Sequence, residues 1–590
     1  MCGIVGASCT DNVLAFLLDG LKRLEYRGYD SVGIAVHQDN EIETYKQKGR
    51  VSSLSDKVGK VESTCGIGHT RWATHGEPSD INSHPHTSSK FTVVHNGIIE
   101  NYRELKGELI EKGYEFVSET DTEAIAHLLS DNYDGNLAST VVKTVKRLVG
   151  SFALGIICED FPNLIAVCKK DSPLIVGKGK KGNYIASDGP ALAGYVDSVY
   201  VMQDNDMALI FPDRVEFFDE NLKNLDKSFE KADLEPSQLE LCGAESFMMK
   251  EIGEIPSAII NTADSLKNGG LDEVATKLVK NTSQITVIGC GTAYHAGLVG
   301  KAVIEEKCRV PVNVEIASEY RYRNPIVKNG EIVVAVSQSG ETADTIAAVK
   351  LAKQKGATVI TITNVKNSSI TTFSDYVLYT QAGPEIAVAA TKSYNSQLVV
   401  FYYLAHLIIG EQESFFEKCK DIASLSKELI DSSEKVLNVS RNLSSSKDAF
   451  FLGRGKDYCT ALEGSLKLKE ITYIHSEGIS SGELKHGTLA LIEKGMPVFA
   501  IVTQSDLVDK TMNALHEVKA RGAKVILITK FERLLKEQGI DHGILIPSIE
   551  DEFAPILSII SLQLLSYYVS RAKGIDPDKP RNLAKSVTVE

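Results

Sequence analysis

The feature that most constrains this chain is an internal duplication in its second half. Gln284-Ile-Thr-Val-Ile-Gly-Cys-Gly291 corresponds to Ala449-Phe-Phe-Leu-Gly-Arg-Gly455. Glu331-Ile-Val-Val-Ala-Val-Ser-Gln-Ser339 corresponds to Pro497-Val-Phe-Ala-Ile-Val-Thr-Gln-Ser505, and Gly356-Ala-Thr-Val-Ile-Thr-Ile-Thr363 to Gly522-Ala-Lys-Val-Ile-Leu-Ile-Thr529. Continuous apolar runs that end in small residues and lead into helical patterns are the mark of buried parallel strands in doubly wound α/β domains. Two similar three-layer αβα domains are therefore expected, over 280–410 and 445–575, with a connector over 411–444 and a polar tail over 576–590.

The first half has another texture. Residues 1–235 interleave short β-rich runs (Phe91–His95, Phe152–Ile157) with helical stretches at Val13–Leu24 and Asn101–Gly113, which predicts a layered α+β domain. The polar stretch Asn221–Gln238 reads as a linker, and Phe247–Leu266 as a helical connector within 236–279. A chain of 590 residues is long enough for several independent cores.

Charge and cysteine usage exclude several classes. The net charge of −14 argues against a general nucleic-acid binder, whose phosphate-facing surface needs clustered Lys and Arg. Ten cysteines are scattered without a C-x-x-C pair, which favours a reducing compartment over a disulfide framework or structural zinc. No signal peptide is evident, and the apolar stretch Pro555–Val569 is too short and too polar to cross a bilayer. A cytoplasmic protein with no membrane association is expected.

Several constellations carry chemistry. Cys2 becomes, once Met1 is removed, a residue with both a thiol and a free α-amine, and that amine is partly unprotonated near neutral pH. It can then serve as base for a nucleophile on the same residue. Ser337-Gln-Ser-Gly-Glu-Thr342 lies between a buried strand and a helix beginning near Asp344. Hydroxyls, a glycine and a helix N-terminus there make an anion pocket, and the lack of a Walker lysine points to a phosphate monoester. The plain alternative is a Ser-rich helix cap. The matching loop Thr503-Gln-Ser-Asp-Leu-Val508 has lost the glycine and gained an aspartate, so only the first copy is expected to bind phosphate.

Helical spacing places Glu463, Lys467 and Glu470 on one face, a carboxylate–ammonium set suited to moving a proton on a sugar carbon. A solvated, salt-bridged surface is the commoner outcome of such a pattern. His486 sits in the glycine-bounded loop Gly482–Gly487, and histidine suits acid–base work near neutrality. Five of the 13 histidines fall between His69 and His95, yet no pair has helical i, i+4 spacing and no carboxylate cluster completes a shell, so no metal site is expected. Trp72, the one tryptophan, reads as either a packing anchor or a movable gate.

Taken together these residues resemble the glutamine–fructose-6-phosphate aminotransferase family over essentially the whole chain. The resemblance rests on the Met1-Cys-Gly-Ile-Val-Gly6 start, Leu24-Glu-Tyr-Arg-Gly-Tyr-Asp-Ser31, His69-Thr-Arg-Trp-Ala-Thr-His75, His95-Asn-Gly97 and Glu119-Thr-Asp-Thr-Glu123. It continues through Glu315-Ile-Ala-Ser-Glu319, Ser337–Thr342, Gly482–Gly487 and Pro580–Glu590. It implies an N-terminal-nucleophile glutaminase domain, an αββα sandwich, followed by two sugar-isomerase (SIS) domains. It implies further that Cys2 attacks the glutamine amide, that Asn96 and Gly97 form the oxyanion hole, and that Arg71, Thr74, His75 and Asp121 bind glutamine. Ammonia would pass internally, with Trp72 as gate. Thr292, Ser337, Gln338, Ser339, Thr342, Val388 and Ala584 would bind fructose 6-phosphate.

In the same family pattern, His486 of a neighbouring subunit opens the sugar ring and Lys585 forms a Schiff base. Glu470, assisted by Lys467, then moves the proton that yields glucosamine 6-phosphate, the first committed step of amino-sugar synthesis. The implied assembly is a homodimer with a shared sugar site, and no metal or organic cofactor is implied. Composition alone favours a disordered tail; the resemblance instead carries it into the active site. Three positions depart from the pattern: Ala293 and Ala390 replace serines that face the phosphate, and Thr488 replaces a proline after His486-Gly487. Two lost hydrogen bonds at ~0.5–1.5 kcal/mol each are expected to weaken sugar binding about 10-fold. An amidophosphoribosyltransferase shares the start of the chain, but the duplication argues against it. A sugar-phosphate sensor without chemistry would have been free to lose Cys2, Glu470 or Lys585.

Overall fold

A computed structural model describes the chain except for residues 1, 40, 74, 233–239, 442 and 589–590. The chain divides into two units, Met1–Glu240 with Ser586–Glu590, and Leu241–Lys585.

The first unit is built on two antiparallel sheets. One has eight strands, in the order Glu230–Lys231, Ser198–Val201, Ile175–Gly179, Gly182–Ala186, Gly3–Cys9, Cys65–Arg71, Ser31–Gln38 and Glu41–Lys48. The other has seven, running from Asn224–Leu225 through Val215–Phe218, Met207–Ile210, Ile165–Lys170, Gly150–Cys158 and Phe91–Ile99 to His86–Ser88. Between them lie Ile4, Ile67, Val94, Ala153, Val167 and Ile185. The outer face of the seven-stranded sheet is covered by the helices Tyr102–Glu111, Thr122–Asp131 and Leu137–Val145, and helix Leu14–Arg23 packs on the eight-stranded sheet. The layering is thus αββα, as expected. It explains why the strand Gly3–Cys9 is buried along its whole length, since both of its faces are covered. Two short pieces of the stretch read as linker, Asn224–Leu225 and Glu230–Lys231, are instead edge strands.

The second unit contains two five-stranded parallel sheets of identical order. The first runs Val312–Ile316, Ile285–Gly289, Ile332–Ser337, Thr358–Thr363, Tyr376–Tyr379; the second His475–Ser480, Asp448–Gly453, Pro497–Val502, Lys524–Thr529, His542–Leu545. Both are 2-1-3-4-5, the doubly wound order in which ligands bind beyond the carboxyl ends of strands one and three, where the chain direction of winding reverses. One continuous apolar core joins the copies through the helices Thr292–Cys308, Lys392–Ile409, Lys456–Thr472 and Ala554–Ala572. The last of these contains the apolar stretch Pro555–Val569 and is buried on nearly all sides. No described helix is long and apolar enough to cross a membrane.

The polar tail is ordered without regular secondary structure as far as it is described. Both Asp578 carboxylate oxygens accept backbone N–H groups, of Phe247 and Met248, at 2.8 Å, so the tail caps the helix Phe247–Gly253. The Asp578 carbonyl accepts the Val388 N–H at 3.0 Å. The Arg581 N–H donates to the Tyr473 hydroxyl at 2.7 Å, and its guanidinium lies over the same ring. These bonds fix a segment whose composition alone reads as disordered.

Candidate active site

In the first unit the end of the strand Cys65–Arg71 brings Trp72 against Cys2, and the Trp72 N–H points at the Cys2 Sγ at 3.4 Å. The Asn96 Nδ2 donates to the Cys2 carbonyl at 3.1 Å. Burial pushes the Cys2 thiol up, with the Trp72 N–H and the charge of Arg71 opposing it. A base on the same residue is therefore useful to the chemistry.

His69 holds Asn96 in place. Its Nε2 lies 2.9 Å from the His95 carbonyl and 3.1 Å from the Asn96 Oδ1, both acceptors, so Nε2 carries the proton. Burial lowers its pKa to about 3, which keeps the ring neutral. Gly97 follows with φ +132°, and a Cβ there would stand 2.0 Å from the Ser151 carbonyl. Only glycine fits that point of the strand Phe91–Ile99, directly after Asn96.

Arg71 and Asp121 are both buried nearby. The Arg71 Nη2 donates to the carbonyls of His75 and Gly76, while Nη1 is buried without a hydrogen-bond partner among the described residues. One Asp121 oxygen accepts the Ile99 N–H at 2.8 Å. A guanidinium nitrogen left open and a carboxylate beside it suit the two charged ends of an amino acid. His75 lies edge-on to Tyr102, and Trp72, half-buried, edge-on to Tyr29. Thr74 lies outside the described residues. The remaining histidines of the cluster bond to hydroxyls: His84 and His95 to Thr122, and His86 to Thr120.

In the second unit, the loop after strand three of the first sheet folds on itself. The Gly340 N–H donates to the Ser337 Oγ at 3.0 Å, the Glu341 N–H to the Ser339 Oγ at 3.1 Å, and the Ser337 and Thr342 hydroxyls lie 3.0 Å apart. Gln338 is half-buried at the same strand end. The Thr342 side chain makes no capping bond to the helix Ala343–Gln354 that follows, and the dipole of that helix favours an anion at this end. Across the switch point, the first residue of helix Thr292–Cys308 links the two copies. The Thr292 Oγ1 donates to Glu463 at 3.0 Å and accepts from the Lys467 Nζ at 3.0 Å.

Lys467 is only 1% exposed and lies 2.6 Å from Glu470 and 3.4 Å from Glu463. Burial works against its charge, and the two carboxylates outweigh it, raising its pKa. Glu463 is fully buried; burial would raise its pKa, but Lys467, His295 (2.7 Å) and Thr292 hold it down. The set predicted from spacing is therefore an internal, fixed cluster and not a solvated surface.

The tail delivers a further lysine. Lys585, its side chain 4% exposed, pairs with the fully buried Glu385. Glu385 also accepts the N–H groups of Thr391 and Ser393 at 3.0 Å and the Ser393 hydroxyl at 2.7 Å. Burial alone would raise the Glu385 pKa; Lys585 and these donors bring it down to about 2. Val388 and the half-buried Ala584 belong to the same segments, as does Ala390. Ala293 is buried near the start of helix Thr292–Cys308. His486 is exposed on the short turn Glu483–His486, away from burial by any described residue.

The second copy differs at its switch point. Asp457 accepts the N–H groups of Thr503 (2.8 Å) and Gln504 (3.3 Å) and the Thr503 hydroxyl, and Asp551 accepts the Ser505 N–H (2.6 Å) and hydroxyl (2.9 Å). The chain's own carboxylates thus occupy the N–H and hydroxyl donors of this loop. Sequence reasoning missed His69, His295 and Glu385, which the structure brings into these clusters. The only signal for His295 was its position one helical step after Thr292.

Cys2 beside Asn96 and Gly97 on a stacked-sheet unit, followed by a doubled parallel-sheet fold, is the arrangement of a glutamine amidotransferase joined to SIS modules. Family models agree: the glutamine amidotransferase domain matches residues 69–194 and the SIS domain matches 277–407 and 442–571. The glutamine–fructose-6-phosphate aminotransferases (isomerizing) of Clostridium acetobutylicum and Clostridium tetani are each 48% identical over the full length of both chains. The solved C-terminal domain of glucosamine-fructose-6-phosphate aminotransferase from Francisella tularensis is 39% identical. It covers 57% of this chain and 99% of its own, with a TM-score of 0.55. The chain belongs to the glutamine–fructose-6-phosphate aminotransferase (isomerizing) family.

Proposed function

We propose that this enzyme converts fructose 6-phosphate and glutamine to glucosamine 6-phosphate and glutamate. The observation that carries the proposal is the buried Lys467, bridging Glu463 and Glu470 beside Thr292, in a chain whose other unit sets Cys2 against Asn96 and Gly97. The Cys2 thiol, deprotonated by its own α-amine, attacks the glutamine carboxamide while Arg71 and Asp121 hold the α-carboxylate and α-ammonium. The amide oxygen becomes an oxyanion facing the Asn96 Nδ2 and the Gly97 N–H, and one such donor contributes roughly 2.7–4 kcal/mol. Ammonia leaves, and water releases glutamate from the thioester. Thr74 and His75 line the glutamine pocket and Trp72 gates the exit of ammonia.

At the sugar site, Ser337, Gln338, Ser339 and Thr342 bind the phosphate, with Thr292, Val388 and Ala584 around the sugar. His486 of a second copy opens the ring. Its exposure, together with the exposed apolar Ile316, Tyr322, Ile326 and Leu491, supports a homodimer with a shared site. The Lys585 Nζ adds to C2 and water leaves, forming an imine that ammonia displaces. Glu470, assisted by Lys467, takes a proton from C1, and C2 is protonated, so the ketose becomes an aldose without an external oxidant. Cys9, Cys65, Cys158, Cys168, Cys419 and Cys459 are buried free thiols, which fits the cytoplasm.

The test is Cys2→Ala. Glutamine-dependent synthesis is expected to vanish while synthesis from added ammonium persists; full glutamine-dependent activity would remove Cys2 from the nucleophile's role.

A further inference from the structure

The short helix Phe247–Gly253 lies outside both sheets, and none of its residues takes part in the chemistry above. It nevertheless touches both segments that form the imine site. Its N-terminal N–H groups are held by Asp578 of the tail. Near its other end, the Oε1 of Glu251 accepts the N–H groups of Ile386 (2.5 Å) and Ala387 (3.1 Å), directly after Glu385. The Val388 N–H donates to the Asp578 carbonyl, and Glu385 pairs with Lys585. The bonds form a closed ring from tail to helix, helix to loop, and loop back to tail.

Glu251 is the unusual member of that ring. It is 2% exposed, and its second oxygen, Oε2, is buried without a hydrogen-bond partner among the described residues. A bare buried carboxylate oxygen is costly when charged and tolerable as a protonated hydroxyl. We propose, on the reading that Lys585 forms the imine, that Glu251 is a positioning residue which sets Glu385 and its loop where they receive and orient Lys585.

The surroundings support this role. Burial first, and the Glu385 carboxylate second, push Glu251 up to about 8, against Lys585, Lys392 and the Ile386 N–H. Lys392 is itself 2.6 Å from Glu254, Lys250 lies 3.7 Å from the same carboxylate, and Asp578 sits at the far end of the helix. Near neutral pH, Glu251 is thus neutral and Glu385 is the anion that faces Lys585. Above about pH 8 a second negative charge appears beside Glu385 and competes with it for the Lys585 side chain, which pulls the lysine away from the sugar.

The experiment is borohydride trapping of the full-length enzyme with fructose 6-phosphate, with the adduct mapped by peptide mass spectrometry. Hydride adds to C2 of the imine and a proton to nitrogen, leaving the sugar on Lys585 as a secondary amine. Glu251→Leu removes the acceptor for Ile386 and Ala387, and trapping at pH 7 is expected to fall about 10-fold. Glutaminase activity, which belongs to the other unit, is expected to be unchanged. Glu251→Gln keeps an acceptor oxygen without the charge. It is expected to restore trapping at pH 7 and to exceed the parent about 3-fold at pH 9, a response that a merely structural role would not give. Normal trapping in the parent with an equal yield in Glu251→Leu would overturn the role of Glu251 alone. A parent that forms no Lys585 adduct would overturn the imine reading and this inference with it. Should Glu251→Leu fail to fold, Glu251→Gln decides, and a pH profile identical to the parent's would refute the proposal.

Discussion

Lys467→Met tests the buried proton-handling cluster most severely. Lys467 is 1% exposed and is the cation between Glu463 and Glu470, so methionine of similar length leaves two carboxylates facing each other in the interior. Removing one partner of a buried ion pair costs about 3–5 kcal/mol, because the remaining charge is left uncompensated. Glu463 keeps its bonds to Thr292 and His295, which places the loss near the lower end, about 3 kcal/mol. For a unit of this size that corresponds to a fall in Tm of roughly 5 °C. The sign of the pH dependence follows from Glu463, whose pKa is depressed in the fold. Its stabilisation is present above the carboxylate's unfolded value and disappears as pH falls through the folded value. The gap between parent and mutant is therefore wide at pH 7.5 and narrows toward pH 4. Calorimetry of the second unit's transition at both pH values, beside synthesis from added ammonium, measures both effects. Glu463→Gln in the Lys467→Met background is expected to recover part of the stability, since the two sites couple. A single mutant as stable and as active as the parent would refute the cluster's role.

Asn96→Ala removes one proposed oxyanion donor and is expected to lower the glutaminase kcat 10²–10³-fold while leaving ammonium-dependent synthesis intact; steady-state assays of both reactions check it. Asp457 is buried, and its pKa is raised from 3.8 to about 6, so its effect on stability is fully favourable below the unfolded value and is lost as pH rises through 6. Asp457→Asn is expected to remove that decline, on the order of 3 kcal/mol, and thermal melts at pH 4.5 and 7.5 would reveal it. Lys585→Ala is expected to abolish synthesis from glutamine or ammonium while glutaminase activity remains, measured as glutamate release.

The doubled fold was legible because a parallel strand buried on both faces is an uninterrupted apolar run, and six such runs aligned in pairs. The turn after strand three was legible for a similar reason: Ser337–Thr342 carries its hydroxyls, its glycine and its helix start in one short segment. The cluster on helix Lys456–Thr472 was visible in spacing but not in burial. That helix lies between the two copies, is buried on most sides and shows no apolar stripe that would mark the inner face. Glu385 and Glu251 left no local signal at all. Glu385 meets Lys585 across 200 residues and Glu251 meets Ile386 across 135, and neither separation has a pattern that a sequence displays. The tail was misleading by composition, since its order comes from Asp578, Arg581 and Lys585 bonding to groups far away in the chain.

The most direct test of the whole account is the product of the purified enzyme supplied with glutamine and fructose 6-phosphate, identified by mass spectrometry beside a glutamate assay. Glucosamine 6-phosphate and glutamate in equal amounts are the predicted result. Glutamate without an amino sugar would contradict it, and would mean that Ala293 and Ala390 have changed which sugar phosphate the second unit accepts.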